Sequence, residues 1–479
     1  MGKVMKNIRT GISAFVFVAI GQMISILGSG MTQFALAIWI FQESGKATDF
    51  SLLAVTGFAP VVIFSPVAGA LVDRWNRKLV MMLSDLAAGL TTVAVLILLV
   101  SGELEVWHLY VTNFLAGVGG AFQFPAYSAA ITMMVPKEQY GRANGIIAMA
   151  GPASNILAPI FAAALIGTIG LKGIILIDII SFSAAIGALL FVIIPQPEKT
   201  EEGEKSRGNL ASESMFGFKY IFQRPSLLAL QLMFFYINLV ATIGFTLQTP
   251  MILTLTKNNE GALAAVMSVG SVGGLLGGIL LTAWGGPKRR IHGVLGGMAL
   301  TGLLYQVLMG VGFKIGSQLS WVILGASGAV LVWSIANFMS PFIITILNGS
   351  SQAIWQAKVP PDLQGRVFSA RRWIAQITAP VGMLIAGPLA DKVFEPAMSS
   401  NTRLAQTFGG LVGTGPGTGM SLIFFLTGAL GIIGALSGYL IPVVRNAEDL
   451  LPDHDVDVQK LSEQAVEEKN DLRVDNNEM

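Results

Sequence analysis

The sequence predicts an all-α membrane protein of twelve transmembrane helices. Three observations carry that reading: twelve separate apolar runs, a composition far from that of a soluble domain, and Lys and Arg gathered on one side of the chain's zigzag. Hydrophobic residues make up 53% of the 479 and charged residues only 12%, with a mean hydropathy of +0.67; soluble domains average about 25% charged residues. A hydrocarbon core about 30 Å thick needs about 20 mainly apolar residues in helix. Residues 12–40, 50–72, 79–100, 107–133, 144–168 and 173–195 meet that length, as do 227–253, 262–284, 291–313, 320–348, 367–390 and 419–443. We number them spans one to twelve.

Short polar connections make successive spans run in opposite directions. With Lys3, Lys6 and Arg9 placed in the cytoplasm, 24 of the 30 Lys and Arg residues fall on that side, and only Lys46, Lys172, Lys257, Lys314, Lys392 and Arg403 on the other. Retention of Lys and Arg in the cytoplasm orients short-loop proteins. Both termini are therefore expected inside, with the chain multi-pass in the plasma (inner) membrane and the lipid bilayer as a partner. The first run is longer than the apolar core of a secretory signal and lacks its cleavage pattern, so it is expected to stay as span one.

The same residues exclude several function classes. A net charge of +2 in such a chain does not point to nucleic acid, and none is expected as a partner. The absence of cysteine excludes disulfides, thiolate catalysis and Cys-ligated metals. His108 and His292 belong to opposite membrane faces and His454 to the tail, which leaves no metal cluster or nucleophile–base pair. No G-x-x-x-x-G-K-[ST] run exists for ATP, and Gly413-Thr-Gly-Pro-Gly-Thr-Gly419 lacks the strand–helix context of a nucleotide loop. Neither an enzyme nor a resident metal or cofactor is expected.

The chain also repeats itself weakly. Val135-Pro-Lys-Glu-Gln-Tyr-Gly-Arg142 after span four returns as Val359-Pro-Pro-Asp-Leu-Gln-Gly-Arg366 after span ten, 224 residues on, and the same offset carries Asn113-Phe114 onto Asn337-Phe338. Parallel halves related about the membrane normal are a recognised transporter plan; a helix-exit turn used twice is the alternative. The expected organisation is a six-helix bundle over 1–195, a solvated cytoplasmic linker over 196–226 ending in a short interfacial helix near Met215–Phe222, a second six-helix bundle over 227–444, and an acidic cytoplasmic tail over 445–479 too poor in apolar residues to fold.

Gly69-Ala-Leu-Val-Asp73-Arg74-Trp-Asn-Arg77-Lys78, between spans two and three, resembles the G-x-x-x-D-R-x-x-R-[KR] signature of the major facilitator superfamily, and Gly285-Gly-Pro-Lys-Arg-Arg290 after span eight is similar to its degraded second copy. Within that superfamily, Gln22-Met-Ile-Ser25-Ile-Leu-Gly28-Ser29, Phe216-Gly-Phe-Lys-Tyr-Ile221 and Ala386-Gly-Pro-Leu-Ala-Asp391-Lys-Val-Phe-Glu-Pro396 resemble the macrolide-efflux and siderophore-exporter branch of bacterial drug:proton antiporters. The resemblance covers residues 10–445 and implies the major facilitator fold of two pseudo-symmetric bundles, driven by a proton gradient. It also places Asp73 beside the start of span eleven, whose free N–H groups and partial positive charge suit a carboxylate. Arg74, Arg77 and Lys78 can pair with Asp73 or with lipid phosphate; Gly69, with Arg142 and Arg366 of the repeated turns, completes the expected gating set. Two departures stand out: Ala153-Ser154-Asn155 follows Gly151-Pro152 where the antiporter pattern has glycine, and Asn113 lies near the depth where these antiporters often carry an arginine.

A charge inside a span is normally functional. Asp85 and Asp178 are the two carboxylates inside the predicted spans, with none, and no Lys, in spans seven to twelve. Asp178 is the first candidate to carry a coupled proton, and Asp85 the second, with pairing to Arg74 or Arg77 as its structural role. Helical spacing sets Gln22, Ser29 and Gln33 on one stripe of span one with Ser25 beside it, Gln231, Asn238 and Thr242 on one of span seven, and Trp333, Asn337, Asn348 and Trp355 on one of span ten. The resemblance implies that spans one, four, seven and ten line a central path. These residues, with Asn113 and Asn155, are then a substrate cavity, or equally the hydrogen-bonding positions that hold helices together.

With 27 Phe and 20 Met, the wall should be apolar and adaptable, which suits a bulky hydrophobic or amphipathic small molecule. The expected function is secondary active efflux of such a drug-like or macrolide-like compound by a monomer, through proton antiport and alternating access. A siderophore or endogenous natural-product exporter stays open as an alternative, and so does a lipid flippase or transport-dead sensor of the same fold.

Overall fold

The computed structural model describes residues 10–44, 47–197, 200, 208–257, 259–318, 328–398 and 402–454. Within them, 10 helices are long and apolar enough to cross a membrane. Two more crossings complete the twelve: Val106–Met134, which is span four, and the second part of the 52-residue helix Tyr140–Phe191, which serves as spans five and six. Where the sequence separates those two, the helix bends at Gly170, with φ 64° and ψ −178°, a conformation open essentially to glycine alone. Large apolar side chains such as Leu384, Leu440, Ile180 and Phe191 are exposed, an arrangement a soluble chain avoids and a bilayer favours. The protein is a multi-pass membrane protein.

Span one is Gly11–Ser44, span two Ala47–Arg74 and span three Arg77–Ser101, the last capped by Asn76, which accepts from Leu79 N at 3.2 Å. In the second half Pro225–Thr246 is span seven, Glu260–Trp284 span eight, Arg290–Gln318 span nine, Gly328–Lys358 span ten and Thr418–Leu440 span twelve. Span eleven starts at Gln364 and runs on past its predicted end, through a wide turn at Ala390–Phe394, to Ala397. It therefore carries Asp391, Lys392 and Glu395, which corrects the expectation of no carboxylate or Lys in the second set of spans. Glu395 accepts from Gly417 N (2.9 Å) and Met420 N (3.0 Å), capping the start of span twelve.

Span one packs along spans five and six, and span four against two and three. In the other half span ten packs against eight and nine, and span seven against eleven and twelve. Spans two and eleven, and spans five and eight, join the halves. The repeat is visible in bonds as well as in helices. Asn113 Nδ2 donates to Leu53 O at 2.6 Å and Asn337 Nδ2 to Val266 O at 2.8 Å, so each pins span four or ten to span two or eight. Arg77 donates to Ala129 O (3.0 Å) and to Pro361 O, while Arg290 donates to Ala353 O (3.1 Å) and to Lys137 O (2.9 Å). Ala353 lies 224 residues after Ala129, and Pro361 224 after Lys137. Each arginine thus clamps the exit of span four or ten in its own half and reaches the following short turn of the other half. The end of the molecule that carries these arginines is its basic end.

The helix Leu210–Phe222 lies beside that end. Its Glu213 is buried and accepts from Arg74 Nε (2.7 Å) and Gly208 N (2.9 Å). Burial by itself would raise the Glu213 carboxyl, but the Arg74 and Gly208 bonds hold it below the usual range. The expected unfolded tail is corrected in its first part: residues 445–454 dock on the basic end. Glu448 accepts from Ile291 N (2.8 Å), Asp449 pairs with Arg289 (2.6 Å), and Asp453 bridges Lys358 (2.9 Å) and Lys137 (3.2 Å). Composition alone does not reveal this, because acidic residues that solvate a free chain also fit a surface already crowded with cations. Residues 455–479, and the charged linker stretch of residues 201–207, lie outside the described residues.

Burial tends to raise the Asp453 carboxyl, and Lys358 and Lys137 bring it below the usual range. A depressed folded value means that its stabilisation is present above the unfolded value, about 3.9, and is lost as pH falls through the folded value. Asp453→Asn should therefore cost about 0.5–1 kcal/mol near neutral pH at this partly exposed site. In thermal unfolding of detergent-solubilised protein, the gap between variant and wild type should close as the pH drops below about 4.

Candidate functional site

The two halves meet most closely where span two ends and span eleven begins. The short turn Pro361–Leu363 leads into Gln364–Gln376, so the first backbone N–H groups of that helix are free to meet an acceptor. Asp73 supplies it. Its Oδ1 accepts from Gly365 N at 2.7 Å, and its Oδ2 accepts from Arg366 N at 2.9 Å and Arg366 Nε at 3.1 Å. Both side chains are buried, Arg366 at 4% and Asp73 at 2% exposure. Charge-assisted hydrogen bonds of this kind contribute about 1.5–3 kcal/mol each. One turn earlier, a Cβ on Gly69 would lie 2.4 Å from Gly365 O, so the helices approach this closely only without a side chain there.

The second copy of the signature closes differently. Gly286 stands 213 residues after Asp73, so Arg142, the repeat partner of Arg366, meets no carboxylate. Arg142 is exposed, and it makes no ion pair among the described residues. The contact there is backbone on backbone: a Cβ on Gly141 would lie 1.9 Å from Gly285 O. None of the remaining signature cations hydrogen-bonds Asp73 among the described residues, although the Arg77 charge acts on it. Arg74 goes to Glu213, Arg77 forms the staple described above, and Lys78 donates to Leu190 O (3.0 Å) and Val192 O (2.8 Å).

Three further bonds between halves escaped sequence reasoning. Asn144 Nδ2 donates to Gln356 Oε1 (2.9 Å), Gln356 Nε2 to Ser128 O (3.2 Å), and Thr132 Oγ1 to Gln364 Oε1 (3.1 Å). The repeat offset held a signal, since Thr132 and Gln356 are 224 residues apart and each reaches across to the other half. All of these bonds lie at the basic end, which is shut.

The two predicted intramembrane carboxylates both turn into the first bundle. Asp178 is 2% exposed and accepts from Ser29 Oγ (2.9 Å) of span one and Thr92 Oγ1 (3.4 Å) of span three. Asp85 accepts from Gln22 Nε2 (2.7 Å) and Gln123 Nε2 (2.9 Å), tying spans one, three and four together. This corrects its expected pairing with Arg74 or Arg77. Gln123 was not foreseen.

The stripe of span one as a cavity wall is corrected accordingly: Gln22 and Ser29 bind those carboxylates, Ser25 is buried, and Gln33 alone is exposed. In span ten Trp333 is fully buried and donates Nε1 to Met309 O at 3.0 Å, and Asn337 holds span eight, so neither lines a path; Asn348 is exposed. Asn113 is likewise a pin to span two. In span seven Gln231 is buried and donates to Arg371 O at 3.2 Å, whereas Asn238 and Thr242 are half-buried. Asn155 of span five is exposed. An apolar groove of about 480 Å³, between Leu83, Leu90, Leu115 and Phe122 of spans three and four, lies apart from the meeting of the halves.

Asp73→Asn and Gly69→Ala should both loosen the closed end. In this cysteine-free chain, a Thr132→Cys reporter should react with an impermeant maleimide about tenfold faster in either background, as loss of about 1.4 kcal/mol requires. Unchanged labelling with an intact thermal midpoint would remove Asp73 as a latch.

Comparison with known proteins agrees with this architecture. Residues 18–383 match the Major Facilitator Superfamily. The chain is 28% identical over 383 residues to macrolide efflux protein A of Streptococcus pyogenes, covering 78% of this chain and 88% of that one. It is 27% identical over 375 residues to the multidrug efflux pump Tap of Mycolicibacterium fortuitum, covering 76% and 86%. Among solved structures, a bacterial homologue of the iron transporter ferroportin in an outward-facing state superimposes with a TM-score of 0.62 at 14% identity, covering 88% of this chain and 98% of that one. The fucose:proton symporter of E. coli gives 0.58 at 13% identity, covering 90% and 99%. A match spanning most of the twelve crossings, on two bundles that repeat the same pins and staples, means that the chain belongs to the major facilitator superfamily.

Proposed function

We propose that the protein is a secondary active exporter of a bulky hydrophobic or amphipathic small molecule, working by alternating access. The observation that carries this is the basic end, shut by Asp73 on the first turn of span eleven. A closure that adds hydrogen bonds at one end to the packing of spans two on eleven and five on eight is strong enough to hold one state and weak enough to release it within a transport cycle. The names of the relatives, macrolide and multidrug efflux proteins, support export. The excess of Lys and Arg at the basic end supports a cytoplasmic placement for it in the plasma membrane, with both termini inside. One chain supplies both sides of the gate, so a monomer suffices.

The driving force in this reading is proton antiport, with Asp178 as the carrier. The shells of the two carboxylates differ in a way that favours it. Ser29 and Thr92 present hydroxyls, which can donate to a carboxylate or accept from a carboxylic acid; both protonation states are served. Asp85 is held by the amides of Gln22 and Gln123, which suits a fixed tie between spans one, three and four.

Everted vesicles and a panel of fluorescent amphipaths test the reading. Wild-type vesicles should concentrate at least one compound when a pH gradient is imposed and not when it is collapsed. Asp178→Asn should abolish gradient-driven accumulation while leaving downhill equilibration within about twofold, and Asp85→Asn should lower stability by about 1–3 kcal/mol through its orphaned partners. Uphill accumulation by Asp178→Asn with the wild-type pH dependence would refute the coupling role.

A further inference from the structure

We infer that Arg371 and Arg372 form a binding site for the anionic head group of an amphipathic cargo, a refinement that rests on the exporter reading above. Both residues lie about two turns inside span eleven, beyond the closed gate at Gly365. Arg371 donates from Nη1 to Gln352 Oε1 (2.7 Å) and from Nη2 to Ser351 Oγ (2.8 Å), and its guanidinium sits 5.1 Å from the Trp355 ring and 5.8 Å from that of Phe234. Arg372 reaches across to the other half, 4.8 Å over the Phe124 ring of span four. The pair therefore stands where the halves meet.

Arg371 meets neutral acceptors only, and the Arg372 side chain makes no hydrogen bond or ion pair among the described residues. Arg366 has Asp73, Arg74 has Glu213, and Arg77 has two carbonyls, yet no carboxylate pairs with Arg371 or Arg372 among the described residues. A guanidinium stays protonated under all cellular conditions, and adjacent cations at depth without a counter-charge are costly and seldom idle.

The second observation concerns the groups around them. Arg372 Nη1, Gln352 Nε2 and Trp355 Nε1 are all shut away from solvent without a hydrogen-bond partner. These three are donors. What the site lacks is negative charge, which a carboxylate, sulfonate or phosphate supplies on paired oxygens, in the forked geometry that arginine recognises. The exposed Phe124 ring beside Arg372 offers an apolar face for the rest of the molecule. The unpartnered oxygens of Gln231 and Gln376 can meet a hydroxyl or amide on the same cargo.

The test is equilibrium binding to the full chain in lipid nanodiscs, which needs no transport. Anilinonaphthalene sulfonate and phenylnaphthylamine share their rings and differ in the sulfonate. Arg372→Gln should weaken the sulfonate probe about tenfold and leave the neutral probe within about twofold. Arg372→Lys, which keeps the charge but not the fork, should fall between. The ratio of the two probes stays informative even if the variant is less stable. Decanoate should displace the sulfonate probe from wild type in discs of phosphatidylcholine. Equal weakening of both probes, or no change in either, would overturn the site. Displacement by added phosphatidylglycerol without displacement by decanoate would overturn it too, because the occupant would then be lipid. Intact Arg372-dependent binding without vesicle accumulation would instead sink the exporter reading and spare this one.

Discussion

The carboxylate of Asp73 on the first turn of span eleven is the contact around which the closed basic end is built. It satisfies two backbone N–H groups and the Arg366 side chain at once, and the glycines at 69 and 365 let the two helices come close enough for that. Arg366 passes the contact on to the segment between the halves, because its guanidinium lies 5.0 Å from the Phe216 ring and Gly217 packs against its carbonyl. Glu213 of the same short helix holds Arg74, the residue after Asp73. The connection between the bundles is thereby tied to both sides of that contact.

Around that contact the two halves are alike in their staples and unlike in their charge. Arg77 and Arg290 make equivalent bonds to equivalent carbonyls, and Asn113 and Asn337 make equivalent pins. These bonds keep each bundle rigid and register the halves against each other. The gate itself breaks the symmetry: one side is a buried ion pair capping a helix, and the other is a close approach of Gly141 to the backbone at Gly285. A charged latch is directional and responds to the loss of a single atom pair. A glycine contact depends on shape alone.

Polar residues inside the bundles follow a rule that periodicity cannot see. A bilayer interior offers no water, so each buried polar group is driven to a partner within the protein. Gln22, Ser29, Asn113, Trp333 and Asn337 found theirs. The groups that stand out are those left unanswered, Arg372 and its neighbours, and the exposed amides Gln33, Asn155 and Asn348.

The sequence by itself determined the twelve crossings, their orientation bias, the two-fold repeat and the position of the Asp73 signature. Each of these is a local or periodic property: a run long enough for the bilayer, a basic loop, a turn used twice. Only the tertiary structure decided which face each polar stripe presents. A helical spacing of three, four or seven fixes a common face but not its azimuth, and that depends on neighbours distant in sequence. So Asp85 met Gln22 and Gln123 in place of the nearby arginines, Trp333 went into the core, and residues 445–454 docked on cations from both halves. Arg371 and Arg372 look in the sequence like ordinary basic residues near a helix end. What distinguishes them is that neither pairs with a carboxylate among the described residues, a fact of three-dimensional packing that no spacing along the chain encodes.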